Sequence, residues 1–375
     1  MIELTIIGLW LLGFAVLFRV PLCRADPSRR SHPSLSVIVP ARNEAHNLPA
    51  LLASLVEQTP RPLEILVVDD ESTDGTAEAA RSGGARVMAS APLPAGWRGK
   101  TWACHQGARA ARGDLLLFMD ADTRLEAHGL KRVLDTFLAS GGVLSVNAYH
   151  RVRRSFEHLS AFFNLTMTMG VGAFTVLGDR VAPAGLFGPF LLLARDTYFR
   201  GGGHAAVKGE VLENMFMARR FRDLGIRMRC RGGRGAVSVR MYPEGLRELR
   251  EGWGKAFITG AGRTHPVLLV LSAGWITGAT VAVILTVAAT FSASPYAQTW
   301  TAQGLYALFA LQLALMLRRI GSFKAWTWIV FPVPLFFYLF VFTQAAARRA
   351  MGRETSWKGR SIDAGGSPAG GADTC

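Results

Sequence analysis

The sequence predicts an α/β protein, a mainly parallel, doubly wound sheet with apolar membrane segments at both ends. Short apolar runs alternate with helix-length segments between Leu35 and Met119, the pattern of successive βαβ units. Acidic residues follow two of those runs: Leu63-Glu64-Ile65-Leu66-Val67-Val68 leads into Asp69-Asp70, and Leu115-Leu116-Leu117-Phe118-Met119 into Asp120-Ala121-Asp122. Open α/β sheets bind their ligands at these carboxyl ends. Long stretches without a charged side chain flank this region.

At the start of the chain, Leu4 to Phe18 is apolar and is followed by Arg19, Arg24, Arg29 and Arg30. Basic residues normally precede a cleaved signal, and no small-residue cleavage site follows this one. Residues 1–20 are therefore expected to form an uncleaved transmembrane anchor, with the positive charges behind it holding the next region in the cytoplasm.

Residues 31–265 are expected to form one catalytic domain. Its first strand is Leu35 to Val39, followed by a helix from Ala45, a strand at Ile65–Val68, a helix from Asp74, a strand at Val87-Met88, a helix from Thr101 and the strand Leu115–Met119. Residues 159–178 are uncharged and long enough to span a bilayer. A crossing there would separate Asp122 from everything through His265, so the stretch is expected to be an interfacial helix near the entry of a lipid acceptor.

From Pro266 to Leu317 no side chain is charged, enough for two spans with a turn near Ser294-Pro295. Ala325 to Ala347 is again uncharged after Arg318, Arg319 and Lys324, making residues 266–347 the C-terminal membrane region. A third full crossing would leave Arg348, Arg349, Arg353, Lys358 and Arg360 outside, against the positive-inside tendency. Pro332 and Pro334 offer a bend instead. Residues 352–375 are Gly-rich and read as a flexible tail.

Composition agrees. Hydrophobic residues make up 50% of the chain, concentrated in these stretches. The 42 Lys and Arg against 27 Asp and Glu give a net charge of +15. No nucleic-acid motif accompanies them, and attraction to anionic lipid accounts for the excess. Cys23, Cys104, Cys230 and Cys375 have neither paired nor zinc-type spacing and read as reduced thiols.

The chemistry lies in three segments. Asp120-Ala121-Asp122 supplies two carboxylates just past a buried strand, a hard oxygen site for Mg²⁺ or Mn²⁺ shared with substrate phosphates. The loop beginning Asp69-Asp70 ends the second strand, and Pro40-Ala41-Arg42-Asn43-Glu44 follows the first, facing the same crevice. In this order and spacing the three segments resemble the family 2 glycosyltransferases, whose catalytic domain has the Rossmann-like GT-A fold. The resemblance extends to membrane glycosyltransferases of the diaponeurosporenoate (carotenoid) glucosyltransferase type, through Gly96-Trp97-Arg98-Gly99-Lys100-Thr101-Trp102-Ala103-Cys104, Phe187-Gly188-Pro189, Gly202-Gly203-His204, Glu251-Gly252-Trp253, Thr259-Gly260-Ala261-Gly262 and Trp357-Lys358-Gly359-Arg360.

The resemblance implies an inverting, metal-dependent transfer of a hexose, glucose from a UDP-linked donor, to a membrane lipid such as a carotenoid acid. Asp70 is then expected on the nucleotide base or ribose, with Pro40, Arg42 and Glu44 lining the donor crevice. Asp122, helped by Asp120, would hold the metal on the diphosphate, and Lys100 would pair with phosphate. For Asp69, capping the turn and touching the ligand are equal alternatives.

Such enzymes place the acceptor base in a Glu-Asp pair. Here the stretch is Lys208-Gly209-Glu210-Val211-Leu212-Glu213-Asn214, with Asn214 where the Asp would stand. Glu213 or Glu210 remains as the base, or none if the acceptor is an acid already ionised at neutral pH. The family's Gln-x-x-Arg-Trp appears as Arg250-Glu251-Gly252-Trp253. The resemblance then gives the phosphate contact to Arg250, and makes Trp253 either an aromatic wall beside the acceptor or an interfacial anchor. His204 reads chiefly as a structural loop histidine. Other acceptors within the class are polyprenyl phosphate, hopanoid or ceramide-type lipids. A processive polysaccharide synthase is disfavoured by the altered Gln-x-x-Arg-Trp, and an inactive scaffold by the intact Asp120/Asp122 pair.

Overall fold

The computed structural model describes residues 1–375 except 211, 261–263, 292–295, 352–354, 358–359 and 363–375. The chain opens with α1 (Ile2–Val16) and then alternates β1 (Leu35–Ala41), α2 (Leu48–Val56), β2 (Glu64–Asp69), α3 (Thr76–Ser82), β3 (Arg86–Ala89), α4 (Gly99–Ala110) and β4 (Leu115–Met119). The helices expected from Ala45 and Asp74 start slightly later. The backbone N–H groups of Glu44 and Ala45 donate to Thr76 and Asp74, so these residues belong to the crevice loop rather than to a helix.

Next come β5 (Thr123–Leu125), α5 (Gly129–Ser140), β6 (Val143–Asn147), β7 (Tyr149–His150), α6 (Ala161–Val171), β8 (Phe190–Ala194), α7 (Arg195–Arg200), α8 (Glu213–Asp223), β9 (Met228–Gly232) and β10 (Val237–Val239). The main sheet has the order β3-β2-β1-β4-β8-β6-β9. Only β8 runs against its neighbours β4 and β6. It enters from far along the chain, a pairing that local periodicity does not reveal. A smaller sheet, β5-β10-β7, begins one residue after Asp122.

Alternation along each strand sends side chains to two cores. Val37, Val39, Leu115 and Leu117 pack with Leu48, Leu52 and Leu130 on one face, while Ile38, Leu66, Leu116 and Phe118 pack with Ala103, Cys104 and Ala108 on the other. A Cβ at Gly107 would stand 2.5 Å from Ile38 Cγ2. Glycine there lets α4 lie directly on β1, which fixes where Lys100 projects.

The remaining elements are α9 (Leu246–Gly260), α10 (Pro266–Phe291), α11 (Tyr296–Ile320), α12 (Ala325–Ile329), α13 (Pro332–Ala350), β11 (Thr355–Trp357) and β12 (Arg360–Ile362). Among the described residues, two helices are long and apolar enough to cross a membrane, Pro266–Phe291 and Gln298–Ile320. The turn expected at Ser294-Pro295 lies outside the described residues. In the expected tail, β11 and β12 pair antiparallel. Residues 363–375, including Cys375, fall outside the described part.

The apolar segments differ in detail from their expected bounds. The proposed anchor over 1–20 is helical only through Val16, about 22 Å at the usual rise and short of an apolar core of about 30 Å. It packs along α10. A Cβ at Gly278 would stand 2.7 Å from Leu9 Cβ and one at Gly274 2.8 Å from Leu12 Cδ1, so the two glycines admit a small-xxx-small contact that hydropathy alone overlooks. Trp275 Nε1 donates to Gln312 Oε1 (2.7 Å), Gln312 Nε2 to the Trp10 carbonyl (2.9 Å), and Trp10 Nε1 to the Leu308 carbonyl (3.1 Å), pinning α1, α10 and α11 together.

The stretch 159–178 is not one interfacial helix. A 3₁₀ turn precedes α6, which ends at left-handed Gly172, and eight of the eleven α6 residues are buried. Asn164 and Thr168 explain its apparent openness: both find internal hydrogen bonds, Asn164 with His150 and Thr168 with Asn147. The uncharged run from Ala325 breaks where its prolines offered a bend: Pro332 has no N–H with which to continue α12 and starts α13 instead.

Candidate active site

Parallel pairing aligns the carboxyl ends of β2, β1 and β4, with Ala41 opposite Asp69 and Pro40 opposite Val68. The loops that follow therefore meet in one crevice. The Asp70 N–H donates to the Ala41 carbonyl at 2.8 Å, and Arg42 Nη1 reaches the Asp70 carbonyl at 2.8 Å, Glu71 Oε2 at 3.4 Å and Asp70 Oδ2 at 3.8 Å. Arg42 thus braces the turn that presents buried Asp70. Asp69 accepts the Ser72 N–H at 3.2 Å, the capping role among its two alternatives.

The second loop is equally bound. Asn43 and Glu71 adopt positive φ, and their segments interlock: the Asn43 N–H donates to Ser72 Oγ (3.0 Å) and the Thr73 N–H to Asn43 Oδ1 (2.8 Å). Glu44 accepts from Asn47 Nδ2 at 2.8 Å and contributes its charge to the field at Asp122.

Asp120 follows β4, and its N–H is held by the Pro189 carbonyl at 3.1 Å, just ahead of β8. Burial first, then the carboxylates of Asp120 and Glu44, push Asp122 up to about 7, against the opposing effect of Lys100. The pair Asp120/Asp122 with Glu44 is a concentration of negative charge that a cation would relieve.

Lys100, in the first turn of α4, lies 2.7 Å from Asp120 Oδ1 and 3.5 Å from Glu213 Oε1. Burial works against its ammonium, but Asp120 and Glu213 outweigh it and hold the group above the ordinary lysine range. Glu213, at the start of α8 and 7% exposed, also accepts from Asn214 Nδ2 at 3.0 Å. The Asn in the expected base position thus orients its neighbour. A Cβ on Gly188 would meet Asn214 Nδ2 at 2.7 Å.

A strap that the sequence reading did not anticipate joins these halves. The Arg98 N–H donates to the Lys208 carbonyl (3.0 Å), Arg98 Nε to the Gly209 carbonyl (2.9 Å) and Thr101 Oγ1 to the Lys208 carbonyl (2.9 Å). The motif around Gly96 and the stretch through Glu213 are each legible in the sequence, but their contact has no local signature. Glu210 sits at the end of this strap, its N–H on the Val207 carbonyl. Val211, and Ala261-Gly262 of another motif, lie outside the described residues.

Arg250 lies half-buried on α9, one turn before Trp253. Trp253 departs from both expected roles. At 1% exposure it stacks on Phe163 with ring centroids 5.0 Å apart and donates Nε1–H to Ser160 Oγ at 3.1 Å. It is a core residue, because α9 buries this face against α6 and the preceding turn. His204 is structural as expected: burial lowers it to about 3, and it pairs with Tyr198 Oη at 2.9 Å.

Residues 36–215 match the family described as glycosyl transferase family 2, a span that includes the site from Arg42 to Glu213. The chain is 32% identical over 336 residues to the 4,4'-diaponeurosporenoate glycosyltransferase of Staphylococcus aureus strain USA300, covering 88% of each protein. To that of strain MRSA252 it is 31% identical over 335 residues, again 88% of each. In fold it is similar to the mannosyltransferase PcManGT from Pyrobaculum calidifontis, solved with GDP-Man and Mn²⁺, with a TM-score of 0.53, 20% identity, and coverage of 93% of this chain and 99% of the other.

Proposed function

Because this chain belongs to glycosyl transferase family 2, we propose that it moves glucose from a UDP-linked donor to a membrane-dissolved carotenoid acid, with inversion at the sugar's anomeric carbon. The observation that carries the reading is the convergence of Asp120, Asp122, Lys100 and Glu213 at the carboxyl end of the sheet. The carotenoid acceptor is supported by the names and near-full-length similarity of the Staphylococcus proteins.

The donor set fits Mg²⁺ or Mn²⁺. Among the described residues no three His, Cys, Asp or Glu side chains gather as a closed metal site. A divalent ion shared with a diphosphate needs only one or two carboxylates, the other positions going to phosphate oxygens and water. Asp122 and Asp120 would hold it, and the bound ion would neutralise charge developing on the departing nucleoside diphosphate.

The protein's own groups do the rest. Asp70, braced by Arg42, takes the nucleoside, with Pro40 and Glu44 on the crevice wall and Lys100 on phosphate. An acceptor carboxylate oxygen forms the bond to the anomeric carbon as the bond to the diphosphate breaks, its electron pair leaving with the diphosphate. An alcohol would in addition surrender its proton to Glu213, the better-placed of the two candidate bases because it shares Lys100 with Asp120. Arg250 is left to an approach of the diphosphate from the α9 side.

We assign the two long apolar helices to the membrane, with the catalytic domain in the cytoplasm, where nucleotide sugars are made. The test is mass spectrometry of total lipids and pigments from cells with and without the gene, paired with UDP release by detergent extract. A glucosyl ester of a carotenoid acid that appears only with the gene is expected. Glycosylated product on a polyprenyl phosphate, hopanoid or ceramide alone would overturn the acceptor assignment.

A further inference from the structure

We infer that Lys100 is an interlock between the donor and acceptor halves of the site, a positioning residue whose release from Asp120 accompanies arrival of the cation and diphosphate and frees Glu213. The inference rests on the glycosyltransferase reading above. Its basis is geometric: one ammonium spans from Asp120 Oδ1 at 2.7 Å to Glu213 Oε1 at 3.5 Å, linking the carboxylate expected on the donor's cation to the carboxylate expected on the acceptor side.

The base of Lys100 is tied down, while its tip is held only by the two carboxylates. Thr101, which follows it, and Arg98, two residues before it, are tied to the carbonyls of Lys208 and Gly209, on the segment leading to Glu213. The side chain is still 40% exposed and carries its charge on a flexible four-carbon stem. It can therefore exchange partners without moving α4.

A divalent ion on the Asp120/Asp122 pair and an ammonium on Asp120 compete for the same negative charge. Two cations at that distance repel, so the ion displaces Nζ from Asp120. The diphosphate that accompanies the ion offers the displaced ammonium new oxygens within reach, and Glu213 loses its ion-pair partner while keeping the hydrogen bond from Asn214. Before the donor arrives, Lys100 neutralises Asp120 and occupies Glu213.

The test uses the full-length protein in detergent and reads Mn²⁺ binding by electron paramagnetic resonance. In the absence of nucleotide, Lys100→Met should bind Mn²⁺ about tenfold more tightly than the unmodified protein, since one competing charge is gone. Adding UDP should tighten Mn²⁺ binding at least about tenfold in the unmodified protein but much less in Lys100→Met, where no ammonium moves to phosphate. Lys100→Arg should restore part of the UDP effect. Lys100→Gln, which keeps a polar side chain in place, must show the same pair of changes as Lys100→Met. Unaltered Mn²⁺ affinity and an undiminished UDP effect in both neutral variants would overturn the interlock alone. Mn²⁺ binding that persists in Asp122→Asn would instead overturn the metal-site reading, and the interlock with it.

Discussion

His150 and Gly321 face each other as a parallel β-bridge, and the Ser322 N–H donates to the His150 carbonyl at 2.9 Å. His150 belongs to β7, the edge of the small sheet whose first strand follows Asp122. Gly321 begins the connection between α11 and α12. The loop after the second long apolar helix is thereby hydrogen-bonded to the sheet that leaves the acidic pair. Ser322 Oγ accepts the Val152 N–H at 2.8 Å and secures the same junction.

Gly321→Val tests that junction. Its Cβ would stand 2.5 Å from Phe323 Cε2 and 3.0 Å from the His150 carbonyl oxygen. Overpacking of this kind costs about 1–3 kcal/mol. Thermal unfolding in detergent should shift downward, and an unchanged Tm would show that the loop is not a fixed attachment.

Asp122→Asn should lower turnover by at least about 10²-fold, through weaker neutralisation of the leaving diphosphate. The fold should not suffer, because the substitution removes a carboxylate that Asp120 and Glu44 already oppose. Turnover measured with and without EDTA, beside a thermal melt, checks both halves. Activity indifferent to the substitution and to EDTA would remove Asp122 from the metal site.

Cation affinity should depend on pH in a stated direction. Asp122 is pushed up to about 7, so below that value a bound cation must displace its proton. Mn²⁺ affinity should rise up to about tenfold per pH unit on approaching 7 and level off above it. The same raised value means that the cation-free protein loses stability as pH climbs from the ordinary carboxylate range toward 7, because ionisation is then disfavoured in the fold. Titrations of Mn²⁺ and thermal melts across pH 5–8 read the two effects, and a flat affinity profile would contradict the assignment.

Glu213→Gln separates acceptor chemistries. With an alcohol acceptor the proton must leave as the bond forms, and the loss of a base should cost roughly 10² to 10⁴ in rate. A carboxylic acid acceptor arrives ionised, so the same change should cost far less. A matched acid and alcohol of one lipid, followed under saturating donor, make the comparison. Equal small losses would move the role of base to Glu210.

The amino-acid sequence by itself determined the features written in neighbouring residues. Alternation of apolar runs with helical segments specified the order of strands from Leu35 to Met119, and parallel pairing then placed Arg42, Asp70 and Asp120 at one edge, since consecutive βαβ units align their carboxyl ends. The uncharged stretch from Pro266 likewise announced its two long helices. Tertiary structure decided what depends on residues far apart in the chain. Trp253 is a core residue because α9 packs on α13 and on the turn before α6; α6 turns inward because Asn164 and Thr168 find partners on β7 and β6; β8 enters the sheet against its neighbours. Lys100 meets Glu213 only because a glycine at position 107 seats α4 on β1 while the strap from Arg98 and Thr101 draws in the segment from Lys208. Periodicity and turn chemistry are properties of a few consecutive residues, whereas the meeting of two charges is a property of packing, which no short stretch of sequence encodes.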